Sequence, residues 1–370
     1  MPDQLNLELR QLRDATASLA TGHLTALRQR SELSQRQLRQ EVVNASTEAG
    51  IYGLTGVQDG SPVANSLALA VVRDTLAGHN VIDLPGIFAP SPGLLAGVGE
   101  PLASSHLGPL LAGNKQGAFG FTEPGDATQP TRATRTTGGD LVINGQKSYV
   151  TGGADADFIN TLVEVDGIGP AMVVVDTSLP GVEIARRFES IDGSHHAAVT
   201  YSDVRVPQSH IVGEAGKGMK RAIEQVGGVR MAIAAASVGL ARYSVGFVDE
   251  YLQNQNSKAR PVSEHRRYLY GRLRISVYGA RSTLYRTARV ADSGDNAVNE
   301  IMAAKVIATE TVGEVVDSAI QIVGGQALVV GHPLESIYRR VRSLRVAEGV
   351  SDVLAVNMAR GRLDLGVGRL

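Results

Sequence analysis

The stretch FGFTEPGDATQPTRATRTTGGDLVINGQKSYVT, from Phe119 to Thr151, decides the fold, because the hydrophobic period changes there from helix to strand. Asn144-Gly145 lies between two short apolar runs, and an Asn-Gly pair readily adopts the two positive φ angles of a type I′ turn. The sequence therefore predicts a β-hairpin over residues 141–150. Thr122 and Thr151 flank it with hydroxyls that could bond a heteroatom of a flat, partly polar cofactor, although the turn motif alone indicates only a hairpin.

Residues 1–117 precede this stretch and have the apolar spacing of amphipathic helices. Ser34 is expected to cap a second helix that ends at Gly50, and Pro62 is expected to open a third, largely apolar helix. The first two helices bury stripes made of Leu5, Leu9, Leu12, Thr16 and Leu19, and of Leu38, Val42, Ala45 and Ala49. These patterns predict an all-helical N-terminal domain.

Residues 118–216 have the composition of a β-domain, with short apolar runs separated by Gly, Asp and Pro. Besides the hairpin, the predicted strands are Phe158–Val165, Ala171–Val175, Val182–Ala185 and Ala197–Tyr201. No crossover helix separates these runs, so the sequence predicts an antiparallel sheet that forms a small barrel or sandwich.

Helical spacing returns over residues 217–370 and predicts a C-terminal four-helix bundle. Long apolar stripes begin near Met219, Leu269 and Ala303, and a last helix is expected after Gly349. The predicted fold class is therefore α+β, with an N-terminal helical domain, a middle antiparallel β-domain and a C-terminal bundle.

The composition limits the function. The chain has 370 residues and a formal net charge of −1, and this balance argues against a nucleic-acid coat or a binder of anionic membranes. The sequence has no apolar run of 18 or more residues, so we expect no membrane-spanning helix. The N-terminus lacks the apolar segment of a signal peptide. Cysteine is absent, which excludes thiolate nucleophiles and thiolate metal ligands and fits a cytoplasmic enzyme. We expect no metal site.

One segment, Ser257–Arg289, is strongly basic, with eight arginines and one lysine against the single acid Glu264. Such a segment is most often a solvated helix face or the rim of an interface. Arginine also binds phosphate in bidentate geometry, so phosphate binding is the functional alternative.

Three segments resemble those of the acyl-CoA dehydrogenases, in the family's order and spacing. Phe119–Gly125 resembles the family's strand beside the flavin, and Asn144–Thr151 resembles its second strand. Gln321–Gly325, followed by Glu348-Gly349, resembles the C-terminal signature. The resemblance extends over nearly the whole chain.

The resemblance implies an enzyme that dehydrogenates an acyl-CoA thioester at Cα and Cβ, with FAD as cofactor and an electron-transfer flavoprotein as electron acceptor. Thr122 and Thr151 would bond the flavin ring, Tyr149 would cover it and Thr128 would lie near the pyrophosphate. The residues that match the family's cofactor-binding positions are Phe119, Phe121, Thr122, Thr128, Tyr149, Thr151, Gln321, Gly324 and Gly325. The last three would reach the adenosine half of FAD, that of a neighbouring subunit in a dimer or tetramer.

Glu348 matches the position of the family's catalytic base. An α-proton beside a thioester is weakly acidic, so this base must be a desolvated carboxylate with a raised pKa. The small apolar neighbours Val346, Ala347 and Val350 suit that role, and Gly349 would let the acyl chain pass close to the backbone. Arg230 matches an arginine that some members place beside the base. The alternative for Glu348 is a surface residue paired with Arg345.

The chain departs from the family pattern in its phosphate-binding segments. Ala127-Thr128, preceded by Asp126, replaces the usual Gly-Ser turn. The family's Arg and Phe-Gly positions after Tyr251 are Gln255 and Lys258-Ala259, and its Gln position is Arg266. Val350 replaces a Thr after the base.

These departures suggest that the chain is one subunit of a heterotetramer of unlike chains, as in bacterial steroid side-chain degradation. Two interpretations remain open. In the first, Glu348 is a working base and the chain shares flavin with a homologous partner subunit. In the second, the chain is a non-catalytic structural subunit that completes the partner's flavin site.

Overall fold

The structure, a computed structural model, describes residues 4–58, 61–257 and 261–365. The chain divides into two compact units: the first combines the residues up to Ala89 with those from Gly227 onward, and the second runs from Pro90 to Val226. The three-domain division at 117 and 216 stays a prediction.

The N-terminal helices of the first unit follow the predicted pattern. They are α1 (Leu7–Leu19), α2 (Thr25–Arg28), α3 (Gln35–Glu48) and α4 (Ser66–Gly78). Ser34 caps α3 as predicted, because its side chain accepts from Gln37 N–H while the Gln37 side chain accepts from Ser34 N–H. Pro62 does not open α4. It lies in a two-residue strand, β2 (Ser61–Pro62), paired with β1 (Val57–Gln58), and Asn65 caps α4 instead.

The C-terminal part differs from the predicted bundle of four long helices. After α5 (Gly108–Leu111) in the second unit come α6 (Gly218–Ser257), α7 (Glu264–Asp292), α8 (Val298–Val323), α9 (Pro333–Leu344) and α10 (Ser351–Leu363). Three of these described helices are long, and α9 and α10 are short. Helix α9 is not among the predicted helices, and Pro333 begins it at the first helical position.

Helix α6 also meets the length and composition of a membrane span over Gly218–Gln255, although half of its most apolar window is buried. The core helix of a soluble protein passes the same test. In the first unit, residues of this helix pack with α7, α8 and α9 into one apolar core through Leu240, Val248, Leu273, Val316 and Ile337.

The second unit is built on a curled sheet. Its strands are β3 (Gly117–Gly120), β4 (Arg132–Arg135), β5 (Leu141–Thr151), β6 (Phe158–Val165), β7 (Gly169–Asp176), β8 (Val182–Glu189) and β9 (His195–Val206). The order is β3-β6-β4-β5-β9-β8, and β7 pairs with the other edge of β6. The predicted runs after residue 157 all lie inside observed strands.

The purely antiparallel sheet needs a correction, because β3 and β4 both pair with β6 in parallel. They occupy successive parts of one edge of β6, with Gly117–Gly120 opposite Phe158–Thr161 and Arg132-Ala133 opposite Glu164-Val165. The chain from 121 to 131 leaves the sheet between them. It therefore interrupts one edge of the sheet and places its own side chains there.

The hairpin predicted at Asn144-Gly145 is wrong, because β5 continues through both residues. The register with β9 shifts there. Asn144 Nδ2 donates to Asp203 Oδ1 at 3.0 Å, and Asp203 N–H donates to Asn144 Oδ1 at 2.9 Å. Gly145 has φ 143°, and a Cβ would lie 2.5 Å from Thr131 Cα. The glycine is thus required by a close approach of the chain, whereas the turn joins β4 to β5 over 136–140.

Candidate functional site

The second unit carries a polar and aromatic surface that we call the Tyr149 face, made of Thr122, Tyr149 and Thr151. Tyr149 and Thr151 alternate with buried Val150 along β5 and are both exposed. Thr122 joins them because its carbonyl oxygen accepts from Ser148 N–H at 2.9 Å. The structure thus brings together three residues that the sequence analysis assigned to one ring.

Two aromatic residues predicted to pack near the ring lie in the same segment. The rings of Phe119 and Phe121 are 5.6 Å apart. Phe119 packs against a buried cluster that includes Phe158 and Leu94, while Phe121 keeps 37% of its surface exposed. Phe121 is therefore available to a ligand, and Phe119 is partly a core residue.

Lys147 and Glu123 fix the protruding segment 121–131, and sequence reasoning missed both. Lys147 Nζ, almost fully buried, lies 2.8 Å from Glu123 Oε1 and donates to the Phe121 carbonyl oxygen at 3.3 Å. Glu123 Oε1 also accepts from Thr131 N–H at 2.8 Å. Burial lowers the pKa of Lys147, against the opposing effect of Glu123. The alternation of β5, which turns Lys147 inward with Ile143, is the signal that could have identified it.

A pocket of about 420 Å³ opens beside this pair. Its lining includes Phe121, Thr122, Glu123, Lys147 and Met219. Partial burial works to raise the pKa of Glu123, but the hydrogen bonds from Lys147 and Thr131 outweigh it and leave this pKa lowered. The pocket wall therefore holds an ion pair beside apolar side chains.

The turn expected near a pyrophosphate is exposed. Asp126, Ala127 and Thr128 all lie at the surface, and Ala127 N–H donates to the Pro124 carbonyl oxygen at 3.1 Å. The assignment of Thr128 to the pyrophosphate stays a prediction.

Thr151 already has a partner. Its Oγ1 lies 3.1 Å from His196 Nδ1 on β9, and Tyr149 lies over the same imidazole with ring centroids 4.6 Å apart. The Tyr149 hydroxyl lies 3.1 Å from Ser190 Oγ. Sequence reasoning did not identify His196, because nothing in its spacing places it opposite Thr151.

In the first unit, Glu348 lies in a short loop between α9 and α10, here called the Glu348 loop (residues 345–350). Burial raises the pKa of its carboxyl, against the charges of Arg230 and Lys305, which lower it. Its φ is +54°, which is uncommon for a residue with a side chain and is kept only where surroundings enforce it. A half-buried carboxylate with a raised pKa is what proton abstraction needs.

Arg230 and Lys305 hold the backbone of this loop. Arg230 Nε donates to the Glu348 carbonyl oxygen at 2.9 Å. Lys305 Nζ, with no exposed surface, donates to the carbonyl oxygens of Arg345 at 3.1 Å and Gly349 at 2.8 Å. Burial lowers the pKa of Lys305 to about 8. Sequence reasoning missed Lys305, because a lysine within the apolar pattern of α8 resembles a surface residue.

The surface-pair alternative for Glu348 does not describe the structure. Arg345 Nη2 lies 3.5 Å from Glu310 Oε1 instead. Within the described part of the chain, the Glu348 carboxylate has no salt bridge within 4.0 Å.

Gly349 has φ +106°, and a Cβ there would lie 2.8 Å from Leu354 Cδ2. The loop therefore needs glycine both for its backbone and for the close approach of a buried leucine. Val346 and Val350, expected to desolvate Glu348, are 51% and 43% exposed.

Gln321, Gly324 and Gly325 lie at the end of α8. Gly324 ends the helix with φ +91°, and Gln321 and Gly325 are exposed. The segment that follows, Leu328–Val330, exposes three large apolar side chains. The assignment of these three glycine and glutamine residues to the adenosine half of FAD stays a prediction.

The positions that depart from the family pattern bond to each other. Arg266 Nη1 donates to Gln255 Oε1 at 2.7 Å, and Gln255 Nε2 donates to the Tyr251 hydroxyl at 2.9 Å. The family's arginine is absent at position 255, and the guanidinium of Arg266 on α7 thus lies beside Gln255 instead. Lys258-Ala259 lies outside the described residues. Within the basic segment, Arg281 instead turns inward to buried Asp74 at 3.2 Å, so this segment is not one uniform phosphate site.

Two family models match the chain. The acyl-CoA dehydrogenase middle domain matches residues 118–204, and the acyl-CoA dehydrogenase C-terminal domain matches residues 216–363. A 3-(aryl)acrylate reductase of Clostridium sporogenes is 26% identical over 341 residues, which are 87% of this chain and 90% of the relative. The caffeyl-CoA reductase-Etf complex subunit CarC of Acetobacterium woodii is 26% identical over 331 residues, 85% and 87% of the two chains.

Solved structures share the fold. A probable acyl CoA dehydrogenase from Mycobacterium abscessus is 25% identical with a TM-score of 0.80, over 96% of this chain and 98% of that one. A glutaryl-CoA dehydrogenase from Mycobacterium smegmatis in complex with FADH2 is 18% identical with a TM-score of 0.79, over 99% and 97%. These likenesses confirm the predicted fold class.

Proposed function

Because the chain belongs to the acyl-CoA dehydrogenase family, we propose that it dehydrogenates an acyl-CoA thioester at Cα and Cβ, with FAD as cofactor and Glu348 as the base. Members of this family are oxidoreductases that act on CH–CH bonds of acyl-CoA. The observation that carries the proposal is the half-buried carboxyl of Glu348, whose pKa is raised by burial, in a loop whose backbone is held by Arg230 and Lys305.

The Tyr149 face suits a flavin by the chemistry of its groups. It presents a half-exposed aromatic ring, the hydroxyl of Thr151 and the exposed Thr122, and all three lie on adjoining segments. A planar ring with heteroatoms along one edge needs such an apolar surface beside a few polar groups. FAD bound there would supply a hydride acceptor.

Glu348 would take the α-proton as a general base. Burial brings the pKa of the Glu348 carboxyl closer to the pKa of the weakly acidic α-carbon, and it also limits competition by water. Gly349 would leave space beside the base, because it has no side chain there. Another residue at this position would be strained.

For partners, we propose an electron-transfer flavoprotein and a homologous subunit. The relative from Acetobacterium woodii, named as a subunit of a reductase-Etf complex, supports the first. Exposed Leu328–Val330 supports an interface in the first unit. An unlike partner, steroid side-chain substrates and a cytoplasmic location are further parts of the proposal. The Arg266–Gln255 bond weakens one reason for an unlike partner, because it restores a guanidinium near position 255.

The second candidate function is a non-catalytic subunit that completes a partner's flavin site. The exposed, acid-containing turn Asp126–Thr128 favours it, since a negative charge there disfavours phosphate.

Glu348→Gln separates the two functions, and Glu314→Gln is a matched control because Glu314 is an exposed glutamate of α8. The chain is tested alone and with candidate partner subunits, and acyl-CoA turnover is measured in both directions because relatives include reductases. We expect Glu348→Gln to keep its flavin and lose activity by about 10²–10⁴-fold, the usual contribution of a general base. Unchanged turnover would leave only the non-catalytic function. A wild-type complex without flavin would contradict both.

A further inference from the structure

His196 is a buried titratable residue that the proposed chemistry does not use. It pairs with Thr151 across β5 and β9, and only 6% of its surface is exposed. Its ring centroid lies 4.6 Å from that of Tyr149 and 5.5 Å from that of Phe188. His196 therefore lies directly beneath the Tyr149 face.

The Nε2 side of the imidazole leads to a carboxylate. Ser194 Oγ lies 2.6 Å from Asp192 Oδ1 and 2.9 Å from His196 Nε2. An ionised carboxylate only accepts hydrogen bonds, so the Ser194 hydroxyl donates its hydrogen to Asp192. The Ser194 oxygen is then left to accept from Nε2–H of His196.

This direction fixes the hydrogen of Thr151. Burial lowers the pKa of His196 and outweighs the opposing charge of Asp192, so the neutral ring, which carries one hydrogen, predominates at pH 7. That hydrogen is on Nε2, so Nδ1 accepts from Thr151 Oγ1–H across 3.1 Å. The exposed side of the Thr151 hydroxyl therefore presents lone pairs only.

We propose that His196 is a positioning residue that makes Thr151 a hydrogen-bond acceptor toward a ring nitrogen that carries hydrogen only in the reduced flavin, and thereby favours reduction of the cofactor. The inference rests on the proposed function, in which Thr151 meets the flavin ring. Such a nitrogen is an acceptor when the flavin is oxidised and an N–H donor when it is reduced. A hydroxyl whose hydrogen is held by His196 bonds the reduced form and faces the oxidised form lone pair to lone pair. Hydrogen bonds to ring nitrogens are a principal way in which proteins tune a cofactor.

The test is a redox titration of the purified holoenzyme, followed by the flavin spectrum. His196→Phe keeps an aromatic ring against Tyr149 and Phe188 but removes both ring nitrogens. We expect the ratio of reduced to oxidised flavin at a fixed applied potential to fall by about tenfold, the scale of one hydrogen bond. His195→Phe is the matched control, because His195 is the exposed neighbour on the same strand, and it should leave the ratio unchanged.

A double substitution distinguishes hydrogen orientation from packing. In a Thr151→Val background, His196→Phe should cause no further change, because the oriented hydroxyl is already gone. Additive shifts of the two substitutions would overturn the proposal, and so would a flavin-loaded His196→Phe protein with the wild-type ratio. A wild-type protein that binds no flavin would instead reject the proposed function.

The tautomer provides a readout without flavin. Selective ¹⁵N labelling of histidine should show Nε2 of His196 protonated and Nδ1 unprotonated at pH 7. A hydrogen on Nδ1 would overturn the proposal whatever the flavin content.

Discussion

Arg230 donates its Nε hydrogen to the backbone carbonyl oxygen of Glu348 at 2.9 Å, so it holds the main chain of the candidate base and leaves the carboxylate for proton transfer. The same guanidinium opposes the rise in the Glu348 pKa that burial causes. Burial in turn lowers the pKa of Arg230, against the charge of Glu348. One arginine thus holds the backbone of the base and limits the rise of its pKa.

Arg230→Gln should move the acid limb of the pH–activity profile to higher pH. The base is active when ionised, so activity rises as pH increases through the Glu348 pKa, and loss of a cation that lowers this pKa raises it further. The measurement is kcat against pH for the holoenzyme. Arg230→Lys keeps the charge and should shift the limb less. An acid limb that moves to lower pH would contradict the assignment.

Lys305→Met should destabilise the first unit. The substitution leaves the carbonyl oxygens of Arg345 and Gly349 without their donor, at about 1–3 kcal/mol for each buried acceptor. Urea denaturation measures the free energy of unfolding. Lys220→Met, at a lysine whose side chain is 76% exposed, should change it by less than about 0.5 kcal/mol.

The pH dependence of that stability has a defined sign. The pKa of Lys305 is about 8 in the folded chain against 10.5 for an ordinary lysine, so between these values the unfolded state binds more protons. Stability contributed by this group therefore increases with pH from about 8 to 10.5, and Lys305→Met should lose that increase. An identical slope in both proteins would show that Lys305 titrates normally.

Gly349→Ala should reduce stability by about 1–3 kcal/mol, because the added Cβ meets Leu354 and the backbone has φ +106°. Activity should fall with it, since the loop that holds Glu348 must shift. Gly228→Ala, in α6 where a Cβ meets nothing within 4 Å, should instead be neutral or stabilise by up to about 1 kcal/mol. Thermal unfolding and kcat of both variants check this.

Lys147→Met should weaken flavin retention by the second unit, because Lys147 holds the Phe121 carbonyl oxygen and Glu123 at the base of segment 121–131. Breaking a buried ion pair from one side costs about 3–5 kcal/mol, an upper figure here since Glu123 is partly exposed. Glu123→Gln should have a similar effect, and the double substitution should be little worse than either one. Flavin content after gel filtration and the denaturation midpoint are the measurements. Additive losses would mean that the two residues act separately.

Local sequence patterns predicted the elements whose stability is local. The capping box at Ser34 and Gln37 sets the start of α3 with bonds made three residues apart. The strand Phe158–Val165 has the bounds predicted from its apolar run. Asn144-Gly145 misled because the same pair that favours a turn also suits a bulge, and the approach of Thr131 decides between them.

The sequence by itself determined the α+β fold class, the family, and the segments from which Thr122, Tyr149, Thr151 and Glu348 come. Hydrophobic periodicity and motif spacing suffice for this, because both depend only on the order of the residues. Only the tertiary structure decided which groups act on those residues. Lys305 and Arg230 reach the Glu348 loop from other helices, and His196 reaches Thr151 from β9. Burial and the charges of such distant neighbours set a pKa and the direction of a hydrogen bond, and neither follows from the order of residues.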